Sequence, residues 1–262
     1  MKGLVGALPD FGRLAVFLLV LVRMTGFAVT APWLGLRAVP GPVRVGLGFA
    51  LAVMVYPGIS APAVDLASGV WPLALAAAAE AATGLAMGFM CGLALNALRL
   101  AGHLMDLQMG YALAELFDPV FGTRGTILSE FLYLLGLVCL LGTDGHHHVI
   151  LGLARSFEFV PVAAAGVQGG LVELVVRSFA GMFLMAVQIA APLVAVLIVV
   201  DLVLGFLTRT VPQINVFILG FPVKVAVGIL MVALLVPVLG GLLGRLGAQM
   251  LRDFETLLQV LG

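Results

Sequence analysis

The sequence predicts an all-α integral membrane protein of about six hydrophobic helices. Of its 262 residues, 63% are apolar and only 10% are charged, against roughly 25% charged in ordinary soluble domains. The mean hydropathy is +1.23. The apolar residues fall in long continuous runs bounded by Pro, Gly and charge, and a helix needs about 20 such residues to cross a hydrocarbon core of about 30 Å. The runs are rich in Ala and Leu and do not alternate, which disfavours the strands of a membrane barrel. A water-soluble globular enzyme is excluded. Thirteen basic residues balance thirteen acidic ones, so no basic field draws in nucleic acid, and partners belong in or beside the membrane.

Six runs emerge in order: Phe11 to Ala31, Val43 to Ile59, Trp71 to Leu98, Ile127 to Leu141, Ser178 to Leu207 and Ile214 to Leu243. The first is not a cleavable signal peptide, because Arg13 and Arg23 interrupt its apolar centre and Pro32 leads into more apolar sequence. At about 1.5 Å per residue the third and fifth would be roughly 42 and 45 Å long, so they must tilt, kink or protrude. Pro192 lies inside the fifth and removes a backbone donor, which predicts a kink. Ile127 to Leu141 is marginal as a span. Basic residues do not orient the chain: Lys2, Arg155, Arg177, Arg245 and Arg252 flank one side, and Arg37, Arg44, Arg99, Arg124 and Arg209 the other.

Gly84, Gly88 and Gly92 recur at four-residue spacing on one helix face, the pattern by which helices approach closely in lipid. Gly240 and Gly244, followed by Ala248, repeat it near the C-terminus, for use within the chain or toward another subunit. Charges inside apolar runs are costly, so Arg13, Arg23, Glu80, Asp201 and Lys224 each need a reason. Arg13 and Lys224 lie near run ends and can snorkel. Glu80 and Asp201 are candidates for buried partners, and Asp201 and Lys224 flank the connection Thr208 to Asn215, where they can pair across a hairpin.

Arg99 to Thr126 is the longest polar stretch between apolar runs, and it interleaves Asp106, Glu115 and Asp118 with Met105, Met109, Tyr111, Phe117 and Phe121. Two readings fit: an interfacial amphipathic helix, or a hydrophobic loop that closes a pore, since Met and aromatic side chains adapt to irregular surfaces. His146, His147 and His148 follow a turn at Thr143-Asp144-Gly145. They lack a partner set at recurring ligand spacing, so no metal is expected, and the imidazoles belong at an interface or in a wet cleft. Cys91 and Cys139 are separate and sit in apolar runs, as small hydrophobes do. No hydrolase, metalloprotease or phosphate-binding motif is present, and neither an enzyme nor a cofactor is expected.

Several of these segments together resemble the FliR family of flagellar export, related to the SctT/YscT family of type III secretion. The collinear matches are Leu21-Val22-Arg23, Ala31-Pro32, Pro40 with Arg44, Asp106-Leu107-Gln108-Met109-Gly110, Leu116-Phe117-Asp118-Pro119 and Asp144-Gly145-His146-His147. Asp201-Leu202, the stretch Arg209 to Phe217 and Gly220-Phe221-Pro222-Val223-Lys224 complete them, and Pro212-Gln213-Ile214-Asn215 weighs most. The segments DGHHHVI and QMGYALAELFDP look closer to the flagellar branch than to the virulence one.

The resemblance implies a core subunit of the export gate, which assembles with FliP and FliQ into a closed conical channel of tilted helical hairpins. It implies contact with FlhB and FlhA, passage of unfolded protein substrates, and a place in the bacterial inner membrane at the flagellar basal body. It also implies a FliP-like portion over 1–176 and a FliQ-like C-terminal hairpin over 177–262. The family's pore-closing loop maps onto 108–122, which makes Met109, Gly110, Tyr111, Leu116, Phe117, Pro119 and Phe121 the expected plug. Tyr111 and Glu115 depart from the family pattern, where Phe and a small or polar residue are expected. The competing class is a small-molecule or ion transporter using Glu80, Asp201 and Lys224, and a third is a scaffold held together by its glycine faces.

Overall fold

The computed structural model describes residues 11–33, 39–59, 70–111, 127–164, 170–211 and 216–261. Helix α1 is Phe11–Thr30, and α2 is Gly41–Val55, prolonged by a 3-10 turn at Tyr56–Gly58. There follow α3 Val70–Met109, α4 Ile127–Gly142, α5 Gly145–Phe159, α6 Leu171–Thr210 and α7 Val216–Leu261. No strand occurs among the described residues. Five helices are long and apolar enough to cross a membrane, and a sixth span results if α4 and α5 count as one broken segment. The all-α membrane fold is therefore the observed one.

Helix ends depart from the hydropathy runs in an instructive way. Helix α3 continues past Leu98 to Met109, so the first third of the polar stretch is its last turns rather than a loop. Leu, Arg, Ala, Met and Gln propagate a helix well whether or not they favour lipid, and hydropathy registers only the second property. Helix α6 continues through Pro192, and α7 through Pro222 and Pro237, although each proline removes one backbone donor. Helix α5 is an element the hydropathy runs do not reveal, because its three histidines, Arg155 and Glu158 depress the average. Its signal is periodic instead: Val149, Leu153, Ser156 and Phe157 are buried on one face.

The chain divides into two compact units, one of residues 1–92, 146–176 and 250–262, the other of 93–145 and 177–249. In the first, α1 and α3 meet backbone to backbone. A Cβ at Gly84 would run into the Arg23 carbonyl, and one at Gly88 into the Thr30 hydroxyl and, at 2.8 Å, the Phe27 carbonyl. Gly26 is the matching small residue on α1, with the Ala81 carbonyl 3.1 Å from its would-be Cβ. Gly92, one turn on, is buried. Helix α2 rests on α1 through Gly48 against Thr25, and through Phe17 edge-on to Phe49 and Tyr56. The end of α7 returns to this unit, where Phe254 is 1% exposed and lies against Gly152 of α5.

In the second unit, α3 and α4 approach at Gly102, whose Cβ would stand 2.6 Å from the Leu128 carbonyl carbon. Leu98, Ala101, Met105, Met109, Leu132, Leu193 and Leu197 are among its buried side chains. Gly244 of α7 is exposed, and a Cβ there meets nothing within 4 Å among the described residues. Gly240 lies on the same helix, with its side-chain surroundings outside what is described.

Candidate functional site

In the second unit the polar stretch leaves α3 and re-enters α4, and the structure fastens both of these ends. Asp106 is where they meet. It is wholly buried, its backbone carbonyl accepts the Gly110 N–H at 3.1 Å, and its carboxylate accepts the Leu128 and Ser129 N–H groups at 3.0 and 3.1 Å. Leu128 and Ser129 belong to the first turn of α4, whose N–H groups have no partner within the helix, and an acidic side chain there also meets the positive end of the helix dipole. The cap comes from another helix. Ser129 returns the contact by donating its hydroxyl to the Arg99 carbonyl at 2.8 Å.

At the outgoing end, Gly110 takes φ +90, a left-handed conformation that a side chain resists and a glycine adopts freely. A Cβ there would also stand 3.3 Å from the Phe221 ring. Tyr111 meets the same ring edge-on at 6.3 Å. Met109 is fully buried and fills the space left by Gly228 of α7. Gln108 donates its amide to Asp201 at 3.0 Å, and the other carboxylate oxygen of Asp201 pairs with Lys224. The pairing expected across the α6–α7 connection therefore forms, and Gln108 of α3 joins it.

The first unit holds a second polar cluster. Arg23 and Glu80 are both wholly buried and form a two-pronged ion pair, with Nη2 donating to Oε1 at 3.0 Å and Nε to Oε2. The remaining guanidinium donors reach the Ser156 and Val160 carbonyls at the end of α5, where the Ser156 carbonyl also accepts the Val160 N–H at 2.9 Å. The Phe157 ring stacks 4.1 Å from the guanidinium carbon. Glu80 also accepts the Ala163 N–H at 2.9 Å. Every charge in this cluster is answered.

Residues 14–250 match the family of bacterial export proteins, family 1. The chain belongs to this family. It is 34% identical to the flagellar biosynthetic protein FliR of Bacillus subtilis strain 168 over 94% of its own length and 95% of that protein's. It is 32% identical to the FliR of Aquifex aeolicus over 86% and 87%, and 30% identical to that of Escherichia coli K12 over 84% and 83%. The FliR resemblance read from the motifs thus holds, and the chain is a membrane component of the flagellar export apparatus rather than an enzyme.

Of the expected FliR-family plug residues, Met109, Gly110 and Tyr111 sit together at the stem just described, whereas Leu116, Phe117, Pro119 and Phe121 lie outside the described residues, as does Pro212-Gln213-Ile214-Asn215. Glu80 is in the first unit, and Asp201 with Lys224 in the second. His146 and His147 are in the first turn of α5 with rings 4.6 Å apart, and His147 and His148 are exposed. Sequence reasoning left the partners unassigned: Arg23 for Glu80, Gln108 for Asp201, and Gly102 and Gly228 as approach points. The signal for the glycines is the motif's own logic, a small residue facing a bulky one, but which bulky one is not written in spacing.

Proposed function

We propose that this chain is a core subunit of the flagellar export gate, forming with FliP-like and FliQ-like subunits a protein-conducting channel, and that residues 108–122 seal its closed state. The observation that carries the reading is the double fastening at Asp106. A pore-closing segment needs rigid footings at both ends, and here both footings bond one buried residue, the Leu128 and Ser129 N–H groups its carboxylate and the Gly110 N–H its backbone carbonyl. The segment between them carries Leu116, Phe117, Pro119 and Phe121, and with Met109 and Tyr111 it supplies the apolar bulk that excludes water and ions by dewetting. Gly110 and Pro119 set its backbone path.

Unfolded substrate would pass through the lumen, with energy supplied by the rest of the apparatus. In this reading 1–176 is a FliP-like portion and 177–262 a FliQ-like hairpin, the complex sits in the bacterial inner membrane at the basal body, and FlhA and FlhB are its neighbours. The transporter alternative has less support, because Glu80, Asp201 and Lys224 are each engaged by protein groups.

The test has two parts. Gentle detergent extraction of tagged protein at native expression is expected to recover one large particle containing FliP-like and FliQ-like subunits. Deleting Gly110 to Gly122 is then expected to leave that particle assembled and raise ion conductance across the membrane. A lone monomer binding a small solute would overturn the gate reading, and unchanged conductance in an assembled deletion would overturn the seal.

A further inference from the structure

We propose that α7 holds the pore-closing segment shut through a seat at Gly228: the lack of a side chain there admits Met109, and the segment opens when Met109 leaves. The inference deepens the export-gate reading and rests on it for what the segment closes. Whether Gly228 controls the segment is tested apart from whether the segment seals.

Residues 108–111 are the last described before the segment, and α7 meets them along one face, since Phe221, Lys224 and Gly228 stand at i, i+3 and i+7. Phe221 lies beside Gly110 and edge-on to Tyr111. Lys224 holds Asp201, which takes the Gln108 amide, and Gly228 receives Met109. Of these four stem residues only Met109 is wholly buried. Its part in the seal is therefore that of an anchor.

A Cβ at Gly228 would overlap Met109 from its tip inward, standing 2.8 Å from Cγ and overlapping Sδ and Cε as well. Overlap with the tip alone is relieved by a change of rotamer, but overlap that extends to Cγ displaces the whole side chain. Gly110 follows at once, and its φ of +90 sets the direction in which the chain leaves α3, so displacing Met109 redirects the segment. Upstream, Asp106 is wholly buried and bound to the start of α4, which confines the movement to the stem. A thioether suits a releasable anchor, because Met is flexible and makes no strong directional bond that must be replaced when it leaves.

Two measurements on the complete complex in native membranes test this. Gly228→Ala is expected to raise resting ion conductance several-fold with the particle still assembled. Met109→Ala removes the anchor and is itself expected to leak, and adding Gly228→Ala to it should change nothing further, because the new methyl then has room. Unchanged conductance in assembled Gly228→Ala, or an increase by the same factor in both backgrounds, overturns the proposal. If deleting Gly110 to Gly122 raises conductance and Gly228→Ala does not, the seat falls and the seal stands; if neither does, both fall.

The second measurement locks the seat and decides the matter even where Gly228→Ala fails to accumulate. In a background carrying Cys91→Ala and Cys139→Ala, Met109→Cys together with Gly228→Cys brings two thiols within disulfide reach, since Met109 Cγ stands 2.8 Å from the Cβ position at 228. Oxidation is expected to cross-link them and stop export of flagellar protein substrates, and reductant to restore it, with Met109→Cys alone indifferent to both. Failure to cross-link, or export that continues through the cross-linked complex, overturns the proposal.

Discussion

The carboxylate of Asp106 accepts the backbone N–H of Leu128 at 3.0 Å across twenty-two positions of sequence. It thereby caps α4 from the side of α3 and joins the two ends of the segment between them. Because both groups are buried, water cannot replace the lost bond when Asp106 is changed. Asp106→Ala is expected to cost about 1.5 to 3 kcal/mol, the range for a hydrogen bond to a charged group. Amide exchange at Leu128 and Ser129 reads the effect directly, since those two N–H groups should lose protection first. Asp106→Asn, which keeps an acceptor, should lose less.

The Arg23–Glu80 pair predicts a strongly unequal set of variants. Removing either partner alone leaves a buried charge unanswered and is expected to cost about 3 to 5 kcal/mol. Arg23→Met together with Glu80→Leu removes both charges and should recover a large part of that loss. Thermal unfolding of the purified complex in detergent measures the cycle. Additive losses in the double variant would mean the two residues act independently.

Asp201 and Lys224 support a different experiment, because their pair is partly open and tolerant of geometry. Asp201→Lys and Lys224→Asp should each impair flagellar export. The double exchange restores opposite charges across the α6–α7 connection and is expected to recover motility in part. No recovery would show that more than the charge pairing matters there.

Glycine variants separate contacts within the chain from contacts beyond it. Gly84→Leu drives a side chain into the Arg23 carbonyl and should prevent stable accumulation of the protein. A Cβ at Gly244 has open space among the described residues, so with Gly244→Leu the protein should accumulate normally. If that α7 face serves another subunit, Gly244→Leu will lower co-purification while leaving expression unchanged.

Ala163 has φ +64, where an alanine is disfavoured and a glycine is not. Its N–H is held by Glu80. Ala163→Gly is expected to raise stability by up to about 1 kcal/mol, the relief of left-handed strain offset by glycine's greater freedom when unfolded. A lower melting temperature would contradict this account of the turn.

Much of this protein was legible before any tertiary contact was known. The all-helical membrane class, the approximate place of six apolar runs and the close-approach face at Gly84, Gly88 and Gly92 follow from hydropathy and residue size, which are properties of single residues and their near neighbours. The Asp201–Lys224 pairing was legible too, because a short connection leaves a hairpin only one way to fold. Family motifs, read in order, were enough to identify the FliR family. Tertiary structure decided what spacing does not encode. Arg23 finds Glu80 across fifty-seven positions and Asp106 finds Leu128 across twenty-two, contacts set by which helices cross and at what height. The extension of α3 to Met109 was likewise settled by hydrogen bonding and packing rather than by affinity for lipid. Hydropathy measures where a residue would rather be; only the packed chain determines which neighbour it meets there.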